Sequence, residues 1–133
     1  MHRKKLPQDR RGLTHKFEIM TNAGERVTGY VTANTYDDGN LAEVFCRVDK
    51  EGSTCGGLMD ALTTIISIAL QYGVPLDKIC EKLEHMRFEP HGRVVVGDLD
   101  LHISTSLTDY LGRWLRKNYL KDEKGKLTDG QAQ

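Results

Sequence analysis

The hydrophobic period of this chain changes once, and that change fixes which half of it forms strands and which forms helices. Up to Val48 apolar residues tend to fall at every second position; after "KEGS" (50–53) they recur about every three and a half. In "HKFEIMT" (15–21), Phe17, Ile19 and Thr21 alternate with Lys16, Glu18 and Met20, as in a half-buried strand. "NAG" then reads as a hairpin turn, because Asn22 and Gly24 tolerate positive φ. The return strand "RVTGYVTANTY" (26–36) is rich in β-branched and aromatic residues, and "YDDGN" (36–40) repeats the turn chemistry. "LAEVFCRV" (41–48) completes a three-stranded antiparallel meander, with Ala42, Val44, Cys46 and Val48 on one face and Leu41, Glu43, Phe45 and Arg47 on the other.

Beyond the switch, Leu58, Leu62, Ile65, Ile66, Ala69 and Leu70 fall on one side of a helix, and that side is expected to face the core. Ser53 or Thr54 is its expected N-cap, and Gly73 with Val74-Pro75 its stop. "LDKICEKLEHM" (76–86) predicts a shorter helix with Leu76, Ile79, Leu83 and Met86 on its apolar stripe. "RFEPHG" reads as a loop, and "RVVVGDLDLHI" as one strand or a hairpin-like excursion. A last helix over about 106–120, capped by Ser106 or Thr105, would bury Leu107, Tyr110, Leu111, Trp114 and Leu115. The expected class is α+β, an antiparallel sheet with about three helices packed on one face.

At 133 residues the chain is expected to form one domain, with a basic arm (1–14), an α+β body (15–120) and a flexible polar tail (121–133). Its net charge of zero conceals a segregation: residues 1–16 carry six Lys or Arg against one acid, residues 113–126 six against two. Basic ends around an acidic middle suit a phosphate-bearing ligand or a symmetric oligomer. No uninterrupted apolar run of about 18 residues occurs and the basic start lacks an apolar signal core, so a cytoplasmic protein with no membrane partner is expected. Cys46, Cys55 and Cys80 show no C-x-x-C spacing, which predicts reduced structural thiols. The five histidines lack ligand spacing, so neither a metal nor a cofactor is expected.

"LPQDRRGLTHKF" (6–17), "EGSTCGGLMDALTTIISIALQYGVPL" (51–76), "MRFEPHG" (86–92) and "DYLGRWL" (109–115) together resemble the TSCPD domain found near the C-terminus of adenosylcobalamin-dependent, class II ribonucleotide reductases. In that family the radical chemistry and the cobalamin site belong to a large barrel domain. The resemblance therefore implies a chain without reductase activity of its own, the more so because its end, "KLTDGQAQ", holds no cysteine. Two departures stand out: Gly112, where the family has a bulky apolar residue, and residues 93–104. A glycine inside a helix points to a close backbone approach, to a ligand or to drift.

Three kinds of site are open. Ser53, Thr54 and Gly56, with Gly57, stand where backbone N–H groups at a helix start hold a phosphate, although a cap and close packing need the same small residues. Cys55 beside them is a candidate thiolate or a small buried residue. Lys16 with Phe17, Arg87 with Phe88, and Arg113 and Arg116 around Trp114 combine a cation with an aromatic ring, as stacking on a base and gripping a phosphate require; a core ring and a solvated arginine give the same pattern. Sequence-specific nucleic-acid binding is not expected. Three functions follow: a non-catalytic accessory or nucleotide-binding module acting with a reductase or a nucleotide ligand; an oligomeric sponge of the size that viruses of bacteria use to sequester cyclic nucleotide or cyclic ADP-ribose immune signals; and an enzyme using Cys55.

Overall fold

A computed structural model describes residues 2–49 and 54–120. The strands β1 (Arg11–Met20), β2 (Arg26–Thr35) and β3 (Leu41–Val48) precede the helices α1 (Thr54–Gln71) and α2 (Leu76–Leu83). Strand β4 (Gly92–Val96), a 3-10 turn (Leu99–Leu101), strand β5 (Ile103–Ser104) and helix α3 (Leu107–Tyr119) complete the elements of the described residues. All strand pairs are antiparallel and the order is β3-β2-β1-β4-β5, so the meander and the second hairpin join through β1 and β4. This is the expected α+β class. The segment 93–104 is the hairpin-like excursion, and β1 begins at Arg11, four residues before the alternation at His15 becomes visible.

The alternation of the meander holds along β2 and from Val44 onward in β3, whereas Glu18, Leu41 and Glu43, expected on the opposite face, are buried as well. Val27, Val31 and Ala33 of β2 and Ala42, Val44, Cys46 and Val48 of β3 are buried together with Phe17 and Ile19 of β1. Phe17 lies opposite Gly29, and a Cβ at that glycine would occupy the space of the phenyl ring. The helices add Met59, Ile66, Cys80, Leu83, Tyr110, Leu111, Trp114 and Leu115 to the same core.

Helix α1 does not present the expected side. Ile66 is buried and Leu62 and Leu70 pack partly against the core, but Leu58 and Ile65 are each 63% exposed. The buried side is Met59, Thr63, Ile66, Ser67 and Gln71. Strand β3 is an edge strand, and its free side leaves the peptide groups of Ala42 and Val44 without a neighbouring strand. Helix α1 supplies the partners: Ser67 Oγ accepts from the Val44 N–H at 2.9 Å and lies 2.9 Å from the Val44 carbonyl oxygen, and Gln71 Nε2 donates to the Ala42 carbonyl at 3.1 Å. A buried peptide group left unsatisfied costs about 1–3 kcal/mol, comparable to the gain from burying one more aliphatic side chain. The polar stripe therefore turns inward. The helix ends as predicted at Gly73 (φ 96°), with Val74 N–H donating to Ala69 O and Gly73 N–H to Leu70 O, a Schellman stop.

Helix α2 stops at Leu83, short of the expected Met86, which is exposed. The cause is distant in sequence: the Asp109 carboxylate, 1% exposed, accepts from the His85 N–H at 2.7 Å and from the Thr105 N–H at 3.2 Å. It thereby draws the chain out of the helix, with His85 at φ 68°. Ser106 caps α3 as expected, accepting from the Asp109 N–H at 3.0 Å. Gly112 marks a close approach of α3 to α2, since a Cβ there would lie 2.8 Å from Leu83 Cβ and 3.3 Å from the Cys80 carbonyl oxygen. Gly112→Ala gains about 1 kcal/mol of helix propensity but forces α2 and α3 apart at an overpacking cost of about 1–3 kcal/mol. A net loss on the order of 1 kcal/mol in urea denaturation is expected, and a variant as stable as the parent would contradict the close-approach role.

Candidate functional site

Two of the segments that carry the family resemblance meet at one cleft. The start of α1, through Cys55, and the loop before β4, through Glu89, Pro90 and His91, line a cleft of about 510 Å³ with Thr21, Asn22, Ala23 and Glu25 of the β1–β2 turn. On the other side of the same loop, Arg87, Phe88, Glu89 and His91 line a cleft of about 350 Å³ with Ile103, Ser104 and Thr105. The loop is tied down from below: Phe88 N–H donates to Thr105 O at 3.1 Å and Thr105 Oγ1 donates to Met86 O at 2.7 Å. The Glu89–Pro90 peptide is cis. Glu89 and His91 thus face both clefts from a braced loop.

The predicted ligand residues divide between this loop and the framework. Arg87 and Phe88 are exposed on the loop, and the Arg87 guanidinium has no hydrogen-bond or ion-pair partner among the described residues. Thr54 is exposed and Gly56 half-buried in the first turn of α1; Ser53 lies outside the described residues. Lys16 is on the open face of the sheet, 3.5 Å from Glu18. Phe17 is buried and stacks on Tyr110 at 4.3 Å between centroids, so its ring serves the core. Arg113 donates to the carbonyls of Ile103 (2.8 Å) and Leu101 (2.7 Å) and pairs with Asp109 (3.3 Å). Arg116 grips both oxygens of Glu84 (2.8 and 3.1 Å) and one of Asp77 (2.9 Å), and the Glu84 bond holds its guanidinium still more firmly protonated. These two arginines lock α3 to its neighbours.

The thiols divide likewise. Burial pushes Cys46 and Cys80 up to about 12, which leaves both as inert core residues, as the sequence suggested. Cys55 alone among the three is half-buried, and it lines the larger cleft.

A further cluster has no counterpart in the sequence reading. Tyr110 Oη accepts from the Asp98 N–H at 3.0 Å and shares a second hydrogen bond with His15 Nε2 at 2.7 Å. The His15 ring stacks on Trp114 at 4.8 Å, and Lys117 pairs with Asp98 at 2.9 Å. Gly97 (φ 104°) brings the backbone onto the phenol, since a Cβ there would lie 2.7 Å from Tyr110 Oη. Burial lowers the affinity of His15 for a proton, with the Asp98 charge opposing in part, and burial raises Tyr110 to about 12. The available signal was positional: His15 shares the buried parity of Phe17 and Ile19, and Tyr110 and Trp114 are four residues apart on one helix face.

A model of the TSCPD domain family matches residues 2–119. A vitamin B12-dependent ribonucleotide reductase of Rhodopirellula baltica is 48% identical over 113 residues, which are 85% of this chain and 10% of that protein. One of Streptomyces coelicolor is 42% identical over 121 residues (91% of this chain, 12% of the relative), and one of Bradyrhizobium diazoefficiens 36% over 118 (89% and 9%). The chain spans about a tenth of the length of these relatives. No solved structure matches.

The His15 cluster has a pH signature. Its folded-state pKa lies below the ordinary 6.5, so the unfolded chain binds the proton first; stability is full above that value and falls as the pH drops below it. In urea midpoints followed from about pH 7.5 to about pH 5, the parent should lose more stability than His15→Phe, which keeps the stack without the titrating group. Equal losses would show that His15 is not held neutral by the fold.

Proposed function

The chain belongs to the TSCPD domain family, and from this we propose that it acts as a non-catalytic accessory module of a class II ribonucleotide reductase, through a nucleotide or a reductase surface held at the 86–91 loop. The observation that carries the reading is the likeness to vitamin B12-dependent reductases over 85% or more of the chain, at up to 48% identity, within a tenth of their length. What the relatives share with this chain is one module, which supports a binding role for it.

The geometry supports the loop as the contact. Arg87 offers five N–H donors in a planar fork, the shape that matches a phosphate or carboxylate, and Phe88 beside it offers a ring 37% exposed. Arg113 and Arg116 have their donors engaged within the fold, so of the predicted arginines only Arg87 has its fork available. His91 and Glu89 line the same cleft.

The test is a reconstituted class II reductase assay with the full chain added, together with calorimetry against ribonucleoside di- and triphosphates. The expected result is co-elution with the reductase or nucleotide heat, weakened about tenfold or more by Arg87→Ala with unchanged thermal stability. No co-elution, no effect on turnover and no nucleotide heat would overturn the proposal.

A further inference from the structure

One buried side-chain polar group among the described residues has no hydrogen-bond partner: the Tyr36 hydroxyl. Tyr36 is 8% exposed and opens the β2–β3 turn, where its N–H donates to Asn40 O at 2.9 Å. A buried phenol without a partner is costly, and phenylalanine would fill the same place without that cost. Such a group in a folded core points to a ligand or a bound water.

Tyr36 also lines a cleft of about 370 Å³, remote from the 86–91 loop in its lining. Tyr36 and Leu41 are the buried residues of the cleft, and half-buried Leu70, Leu76 and Tyr119, from α1, α2 and α3, give it apolar surface. Lys4 is the one charged residue that lines it. The Lys4 ammonium lies over the Tyr36 ring, 4.0 Å from the centroid, and 3.9 Å from an Asp38 oxygen, which is beyond hydrogen-bond distance. Its side chain is 58% exposed, whereas the backbone beneath it is tied to α1: Lys4 N–H donates to Gln71 O at 2.8 Å and Arg3 Nε to Gln71 Oε1 at 2.6 Å.

We propose that this cleft binds a small organic anion, its apolar body against Leu41, Leu70, Leu76 and Tyr119 and its carboxylate or phosphate group accepting from Lys4 Nζ and Tyr36 Oη. The ammonium stands over the ring that carries the hydroxyl, so one oxyanion group can accept from both once the long lysine side chain swings off the ring. No carboxylate lines the cleft, so its charge selects an anion. The carbonyls at the end of α1, which would repel one, are already engaged: Ala69 O by Val74 N–H, Leu70 O by Gly73 N–H and Gln71 O by Lys4 N–H. The volume is at the low end for small-molecule sites and too small for a folded partner. The site uses neither Arg87 nor the 86–91 loop, so it and the reductase reading stand or fall separately.

The test is an NMR titration of the full chain, nitrogen-15 labelled, with 3-phenylpropionate, phenyl phosphate and the neutral 3-phenylpropanol, followed at the amides of Tyr36, Leu70 and Leu76. At least one of the two anions should saturate these shifts at concentrations on the order of millimolar, and the alcohol should bind about tenfold more weakly or less. The tighter of the two anions assigns the site to a carboxylate or to a phosphate. Lys4→Gln and Tyr36→Phe should each weaken the anion about tenfold, and Tyr36→Phe should melt no lower than the parent, because it removes a hydroxyl that has no partner in the protein. Neither anion moving these amides, an alcohol that binds as tightly as the anions, or unchanged affinity in either variant would each overturn the proposal. A Tyr36→Phe protein that melts lower, with no anion bound by the parent, would assign the hydroxyl to a bound water and overturn it as well.

Discussion

The free edge of β3 is the constraint on which the arrangement of the rest depends. A strand at the end of a sheet carries a row of unpaired peptide groups, and proteins either cover that row or risk pairing with other chains. Here the cover is a helix. Ser67 and Gln71 take up the groups of Val44 and Ala42 that a further strand would otherwise bind. The N-terminal segment reinforces the seal, with Arg3 Nε donating to Gln71 Oε1 at 2.6 Å and Lys4 N–H to Gln71 O at 2.8 Å. Once the polar stripe is fixed to the edge, the apolar residues opposite it have to face outward, and the outer surface of α1 is a consequence of the sheet's topology.

At the other end of the molecule Asp109 plays a comparable part. Its buried carboxylate ends α2, anchors the chain at Thr105 and pairs with Arg113, which in turn holds the carbonyls of the 3-10 turn and β5. Gly112 and Arg116 bring α2 and α3 together immediately beside it. Between these anchors the chain from Glu84 to His91 crosses the surface with its ends fixed, so Arg87 and Phe88 are displayed on a braced loop. A loop braced at both ends keeps its exposed side chains in a fixed arrangement.

How much of this was legible depends on the range of the interaction concerned. The meander, the Schellman stop at Gly73 and the Ser106 cap are decided by neighbours in sequence, and alternation and turn chemistry revealed them. The side that α1 buries is decided by β3. In a helix with one charge, Leu58 and Ile65 outweigh Thr63 and Ser67 on any hydrophobic scale, and no local signal says that an unpaired edge will claim the hydroxyls. The early end of α2 was hidden for a similar reason, since Asp109 is 24 residues from the turn it imposes at His85. Among the site residues, a guanidinium used inside the fold and one without a partner among the described residues have the same letter; only the positions of Glu84, Asp77 and the carbonyls of Leu101 and Ile103 separate Arg116 and Arg113 from Arg87. His15 lacked a motif because its partner, Tyr110, lies 95 residues away.

The seal on β3 is tested most directly by amide hydrogen exchange at Val44 in the parent and in Ser67→Ala. The structure predicts that the Val44 amide, though on the open side of an edge strand, is protected in the parent nearly as well as the β2–β3 ladder, and that Ser67→Ala lowers its protection on the order of tenfold or more while the ladder amides change little. A Val44 amide that exchanges as fast in the parent as an uncovered edge amide, or equally in both proteins, would contradict the account.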